Sequence, residues 1–418
     1  MTTKNNIPAG YKDSVVGIIP WEWEVTTLGK LVSITSGESP SLFNLRDVGK
    51  YPYIKVEDMN SSEKYQLLSR EYTDDERCAI PKGSIIFPKR GAAITNNKVR
   101  IAACQLYMDS NIMAITPNEL VFGDYLYFKI TYEQLFKIAD TSTIPQINNK
   151  HIIPYKICLP PMAEQRKIAE ILGVWDEAIE KQSRLIEKLE LRKRALMQHL
   201  LTGRTSLPGF TTPWQKVKLG EIGTFLSTNT LSRDKLNDNN GSIQNIHYGD
   251  ILVKYSSIVD AKLTAIPYVN EDVAISSDYL ENGDIVFSDT AEDNIVGKAV
   301  EISNIADKKI VAGLHTMLFR PNKGSYAQHF LGYYLNSDAY RKQLAPLIQG
   351  IKVCSISKRA ICHTIVLTPS LPEQKAIAEV LTVADNEIAT HRKKLDALRL
   401  QKRGLMQQLL TGKTRVKI

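Results

Sequence analysis

A stretch of more than forty residues occurs twice in this chain, 209 positions apart and without a gap. Residues 164–205 begin EQRKIAEILGVWDEAIEKQ and end RALMQHLLTGRT; residues 373–414 begin EQKAIAEVLTVADNEIATH and end RGLMQQLLTGKT. From Pro160/Pro369 to Thr205/Thr414, 22 of 46 aligned pairs are identical, which chance does not produce. Each copy reads as one long helix. Pro160 and Pro161 precede the first and Pro369 and Pro372 the second, where proline starts a helix well, and Gly203 and Gly412 stand where glycine stops one. Apolar residues recur by four and three: Ile168, Leu172, Trp175, Ile179, Ile186 and Leu189, then Ile377, Leu381, Ala384, Ile388, Leu395 and Leu398. That spacing is a coiled-coil seam. A helix of about 40 residues spans ~60 Å and cannot bury such a stripe alone. The two copies are therefore expected to pair with each other as an antiparallel coiled coil. The seam is interrupted at matched positions, Gln182 with His391 and Lys193 with Lys402.

The regions ahead of the helices repeat more faintly. WEWEVTTLG at 21–29 matches PWQKVKLG at 213–220, KGSIIFPKRG at 82–91 matches NGDIVFSDTA at 282–291, and IMAITPN at 112–118 matches TMLFRPN at 316–322. FGDYLYFKI at 122–130 and HFLGYYLN at 329–336 follow, then IPQINNKHI at 144–152 and CSISKRAI at 354–361. The order is the same twice: a tryptophan-led strand, short β-branched strands with glycine turns, an aromatic helix, a polar loop and the long helix. The expected fold is α+β: two pseudo-symmetric globular domains, at 1–160 and 205–369, separated by long helices at 161–204 and 370–418.

What the chain lacks narrows its function. No apolar run reaches the ~18 residues of a membrane span, and the polar opening MTTKNNIPAG has no signal-peptide core. Five scattered cysteines, Cys78, Cys104, Cys158, Cys354 and Cys362, form no C-x-x-C pair, which suits a reducing cytoplasm. The histidines show no metal-ligand spacing, and no metal site is expected. Gly412-Lys413-Thr414 resembles the end of a phosphate loop, but Gln407 stands where that loop needs glycine. No catalytic motif is present, so a binding protein is expected and not an enzyme. The net charge is +8, but residues 1–163 carry net +1 and 205–372 net zero. The excess lies on the helical segments, net +2 at 164–204 and +5 at 373–418, so bulk charge argues only weakly for a nucleic acid.

Two variable domains, each closed by a near-identical helix opening on L-P-x-x-E-Q-x-x-I-A-E-x-L, resemble the specificity subunit of type I restriction-modification enzymes. The first copy reads Leu159-Pro160-Pro161-Met162-Ala163-Glu164-Gln165, with a second proline inserted, then Ile168-Ala169-Glu170-Ile171-Leu172. The second copy reads Leu371-Pro372-Glu373-Gln374, then Ile377-Ala378-Glu379-Val380-Leu381, departing in having proline directly before the glutamate. The resemblance spans nearly the whole chain. It implies that each variable domain is a target-recognition domain reading one half of a bipartite site in double-stranded DNA. It implies that the paired helices set the gap and dock two modification subunits. Those partners would carry S-adenosylmethionine chemistry on adenine, and restriction and translocase subunits using ATP would join for cleavage. This chain would hold no cofactor. The competing reading is a coiled-coil scaffold that reads no DNA.

Local charge suggests where DNA is touched. Between Glu76 and Asp109 no acid interrupts Lys82, Lys89, Arg90, Lys98 and Arg100. Arginine suits the guanine edge, asparagine the adenine edge and lysine the phosphates. The candidates in the first domain are Lys89, Arg90, Asn96, Asn97 and Lys98, with Gln146, Asn148, Asn149 and Lys150 from the polar loop. In the second they are Ser288, Asp289, Asn294 and Lys298, with Lys352, Ser355, Ser357 and Lys358. Arg320, Lys323, Arg341, Lys342 and Arg359 add bases expected to contact the backbone.

Overall fold

The computed structural model describes residues 7–77, 79–204, 206–270 and 273–418; Cys78 and Thr205 lie outside them. The chain folds into two compact units that do not follow its linear order. One comprises Met1–Ser183 with Lys394–Ile418, the other Arg184–Lys393. The first long helix, Met162–Leu200, and the second, Leu371–Leu409, therefore each contribute one half to each unit.

In the first unit, Trp23 leads into β1 (Glu24–Thr27), followed by β2 (Val32–Ser36), β3 (Tyr65–Gln66), β4 (Ile85–Pro88), β5 (Arg100–Ala102) and β6 (Ile112–Pro117). Helix α1 (Gly123–Glu133), the short α2 (Asn149–Ile152) and β7 (Lys156–Leu159) complete it. Five strands form a sheet in the order β2-β6-β4-β5-β3, and β7 pairs antiparallel with β1. The run Ile85-Ile86-Phe87 is apolar without alternation because both sheet faces are covered. Ile85 and Phe87 join Met113 and Ile115 in the main core, while Ile86 turns to Ile112 and Ala114 in a smaller one.

The second unit repeats the plan with β8 (Gln215–Lys218), β9 (Gly223–Leu226), β10 (Ile258–Asp260), β11 (Ile285–Ser288), β12 (Thr290–Ala291), β13 (Ala299–Ser303) and β14 (Thr316–Pro321). Helix α3 (Phe330–Tyr334), β15 (Cys354–Ser355), α4 (Lys358–Cys362) and β16 (Ile365–Thr368) follow. Its sheet runs β9-β14-β11-β13-β10, strand for strand the order of the first, and β8 pairs with β16. In both sheets the outermost short strand is parallel to its neighbour while the rest are antiparallel.

The repeated Glu-Gln at the head of each helix locks that helix to its globular partner. Glu164 Oε2 accepts from the indole of Trp23 at 3.0 Å, and Glu373 Oε2 from that of Trp214 at 3.2 Å. Gln165 accepts from the Phe122 amide at 2.7 Å and donates to Pro160 O at 2.9 Å; Gln374 accepts from the Ala327 amide at 2.9 Å and donates to Pro369 O at 3.0 Å. Both carboxylates are fully buried. Glu164 is also held by the Arg415 guanidinium at 2.7 and 2.9 Å, so indole and guanidinium together satisfy a group that would be costly unpaired, whereas Glu373 has the indole alone and its Oε1 finds no partner among the described residues. The helix ends close the same arrangement. Gly412 and Gly203 have φ +73° and +67° and lie against the rings of Trp23 and Trp214, where a side chain would crowd.

The lysines that interrupt the apolar seam have partners. In the first unit Lys402 pairs with Asp176 and lies over the ring of Phe128. In the second, Lys193 meets Asp385 at 2.6 Å and lies over Tyr333, whose hydroxyl donates to the same carboxylate at 2.8 Å. The two lysines and the two aspartates are related by the 209-residue repeat. Of the expected seam residues, Ile168, Leu172, Ile179, Ile186, Leu189, Ile377, Leu381, Ile388 and Leu395 are buried, while Trp175 and Leu398 are half-buried.

Candidate nucleic-acid interface

The two stretches singled out in the first domain meet in the folded unit. Strand β4 ends at Pro88 and hands the chain to Lys89-Arg90-Gly91. The Lys89 amide donates to Asn111 O at 2.8 Å, and Lys89 O accepts from the Ile147 amide at 2.9 Å. Gly91, at φ +78°, donates to Pro145 O at 2.9 Å, and Arg90 bridges Gln146. Arg90, Asn96, Asn148, Asn149 and Lys150 are exposed there, and Lys89, Lys98 and Gln146 are half-buried. Partial burial, with Arg90 beside it, holds the Lys89 ammonium below the ordinary lysine range. A lysine that is partly desolvated and has a cation beside it is poised to gain from an anion.

Asn97 is a correction. It sits at φ +50°, its Nδ2 donates to Thr131 O at 2.9 Å and its Oδ1 accepts from the Leu135 amide at 2.9 Å. Its amide is consumed in tying down the chain after α1. Arg100 is likewise internal, donating to Ser62 O and Met59 O. The turn Asp109–Asn111 went unsuspected, yet it lies beside Lys89; Asp109 Oδ1 accepts from the backbone and side-chain amides of Asn111, both at 2.7 Å. The only sequence signal for it was an Asp-Ser-Asn turn ahead of a strand.

In the second unit the same place is built from other residues. The Asp289 amide donates to His315 O at 3.1 Å, Asp289 O accepts from the Ile356 amide at 3.0 Å, and Thr290 of β12 pairs with Ser355 of β15. The Asp289 carboxylate accepts from the Thr290 hydroxyl at 2.8 Å and lies 3.4 Å from His315 Nδ1. Asn294, Lys352, Ser355, Ser357 and Lys358 are exposed. Sequence reasoning missed His315 and Tyr248, whose rings meet edge to face at 5.4 Å. His315 at φ +54° is a non-glycine residue in the left-handed region, a conformation invisible in the sequence.

Four expectations fail here for physical reasons. Ser288 is fully buried, its hydroxyl donating to Thr290 O at 2.7 Å. Lys298 turns inward to Leu252 O at 3.0 Å and Tyr255 O at 2.9 Å, and burial pushes its ammonium below the usual range. Arg320 is claimed by Asp284 and Glu281, and Arg341 by the carbonyls of Val296 and Asn294. Ser357 is exposed but already caps α4, accepting from the Ala360 amide at 3.2 Å. Lys342, Lys352, Lys358 and Arg359 are exposed without an ion pair among the described residues.

The backbone frame is thus the same twice while the side chains differ. Lys89 corresponds to Asp289, Arg90 to Thr290, Asn111 to His315, Gln146 to Ser355, and Asn149 to Lys358. One site offers cations and amides; the other sets a carboxylate, hydroxyls and an imidazole beside the Lys358 ammonium. A common frame with unlike donor and acceptor sets can distinguish two different base-edge patterns. No group of His, Cys, Asp or Glu able to hold a metal occurs among the described residues.

Residues 20–191 and again 211–400 match the type I restriction modification DNA specificity domain. The chain belongs to that family. Each match runs from the opening tryptophan segment of one repeat into the long helix that follows it. The chain is similar to the type I restriction enzyme MjaVIII specificity subunit of Methanocaldococcus jannaschii, 26% identical over 428 residues, 96% of this chain and 94% of that one. It also resembles the MjaIX specificity subunit of the same organism, 29% identical over 195 residues, 43% of this chain and 45% of the other. The fold is shared with the S subunit of a type I restriction-modification system from M. genitalium, with TM-score 0.56, 16% identity and 98% of each chain covered. It is shared too with a chain from a structure of assembly and conformational transition in the type I R-M system, with TM-score 0.58, 17% identity, and 95% and 99% covered.

Proposed function

We infer that this chain is the DNA-specificity subunit of a type I restriction-modification complex, and that each specificity domain reads one half of a bipartite target. The observation that carries this reading is the duplicated backbone frame holding unlike side chains, Lys89-Arg90 in one unit and Asp289-Thr290 in the other. A two-part, asymmetric DNA site calls for such a protein, much as dimer geometry sets half-site spacing. Arg90, Asn96, Gln146, Asn148 and Asn149 are the base readers of the first unit, and Asp289, Asn294 and Ser355 those of the second. Lys89, Lys98, Lys150, Lys352 and Lys358 hold phosphates.

The long helices form an antiparallel coiled coil that sets the gap between half-sites; the matched pairs Lys402–Asp176 and Lys193–Asp385 support that register. Two modification subunits dock on it. Val174/Val383 and Leu191/Leu400, each pair related by the repeat, keep apolar side chains exposed on the helices, as expected where one kind of partner binds twice. S-adenosylmethionine and ATP belong to the partner subunits, and this chain does no chemistry itself. The setting is cytoplasmic; no helix among the described residues is long and apolar enough to cross a membrane.

The test is to map methylated adenines in cells expressing the chain with its modification subunit. A two-part motif is expected, and exchanging residues of one specificity domain should change one half only. Co-purification of the subunits with no sequence-dependent methylation would favour a scaffold.

A further inference from the structure

We propose that an aliphatic loop tip in each unit reads thymine: Ile144 in the first, and Val353 with Ile351 in the second, pack on 5-methyl groups in the major groove. The proposal rests on the DNA-reading function above but concerns residues outside the polar contact set.

The two loops are the same element. Asp140 and Gln146 exchange two backbone hydrogen bonds, both 2.9 Å, and Gln349 and Ser355 exchange two at 2.9 and 2.8 Å. Each closed loop has seven residues, and Ile144 and Val353 occupy the same fifth position, 209 residues apart. Ile144 is 71% exposed, Val353 58% and Ile351 98%. These side chains belong to neither core of their unit. An aliphatic side chain kept in water twice, at one position of a loop whose other residues differ, serves an encounter and not the fold.

The neighbourhood says what is encountered. The loop roots stand beside Arg90 and Gln146 in one unit and Thr290 and Ser355 in the other. Asp140, held by Ser142, roots the first loop and Asp289 stands beside the second, but no further acidic residue occurs from 141 to 163 or from 339 to 372, while Lys150, Lys352, Lys358 and Arg359 do. The surface therefore suits a polyanion that also offers apolar groups, and in duplex DNA the thymine methyl is the apolar group of the major groove. Asn148 and Asn149 lie just beyond the first loop, and the partner of an adenine read by asparagine is a thymine. The second loop is pre-shaped: Gly350 has φ +100°, and a Cβ there would come within 2.0 Å of Val353 O.

The experiment selects duplexes from a random library with the full chain, purified with the subunits that accompany it from its own cells. Wild type should select a two-part motif. Ile144→Ser should lose a T·A preference, by about tenfold, in one half only. Ile351→Ser with Val353→Ser should do so in the other half, and Ile144→Val should keep the preference. Replacing the contacted thymine by uracil removes only the methyl; it should weaken wild type by a similar factor and leave the serine variant unchanged. Identical motifs and affinities for wild type and the serine variants would overturn the proposal, as would equal binding of thymine and uracil duplexes by wild type. If wild type selects no sequence at all, the DNA-reading function itself fails.

Discussion

Arg90 and Asn97 lie seven residues apart in one acid-free stretch, yet only the arginine is free to meet a ligand. Asn97 spends its amide on Thr131 and Leu135, and Lys298 its ammonium on Leu252 and Tyr255. Residue type and local charge made all three look alike, because what separates them is contact with segments 30 to 50 positions away. The free residues make separable predictions. Lys89→Ala should weaken binding for all sequences and lower the salt slope by about one counterion, whereas Arg90→Ala should relax discrimination at a single base pair by about 1–3 kcal/mol. Titration on fixed and randomised duplexes at several salt concentrations separates the two, and no change in either variant would remove this loop from the DNA. A second prediction concerns Glu301, fully buried where it accepts from the amides of His329 at 2.5 Å and Gly332 at 2.9 Å. Burial raises its carboxyl from 4.5 to about 7, against the pull of those amides. A carboxyl raised on folding holds its proton better in the folded state. The stability it lends is full at low pH and is lost as pH climbs from about 4.5 to 7. The thermal midpoint of Glu301→Gln should therefore fall less steeply than wild type between pH 5 and 7. Parallel slopes would place the titration elsewhere.

At the scale of elements the reading was better, since elements follow from period and punctuation. The unbroken runs Ile85-Ile86-Phe87 and Ile285-Val286-Phe287 are strands covered on both faces, and the long helices start and stop beside the prolines and glycines that mark them. What periodicity could not say is why lysines break the seam. Lys193 and Lys402 reach past the apolar stripe to Asp385 and Asp176 and lie over the aromatic rings of α3 and α1. Each thus binds a long helix to a globular domain. These pairs are mostly shielded but not dry, so removing one partner should cost about 1–2 kcal/mol, between the surface and buried limits. A double-mutant cycle on Lys193→Met and Asp385→Leu by chemical denaturation should show coupling of that order. Additive effects would mean that the lysine only packs.

For the whole molecule, the prediction follows from length. Four residues inserted into both helices at matched positions add about 6 Å and return the helix face to within ~40°. The methylated motif should keep both halves and widen its gap by about two base pairs of 3.4 Å rise; an unchanged gap would show that the helices are not the ruler. The duplication, the order of elements, the apolar seam and the family are legible in the residues alone, because each is written in local period or in direct self-similarity. That each compact unit takes one half of each long helix, and that Glu164 and Glu373 accept from indoles, emerges with the fold. The alignment had already set Lys89-Arg90 against Asp289-Thr290; the fold added the shared backbone hydrogen bonds that hold both pairs, to Asn111 and Ile147 in one unit and to His315 and Ile356 in the other. The reason is physical: hydrogen-bond partners and burial are set by segments far apart in the chain, and no local pattern records which polar side chain the fold has already claimed.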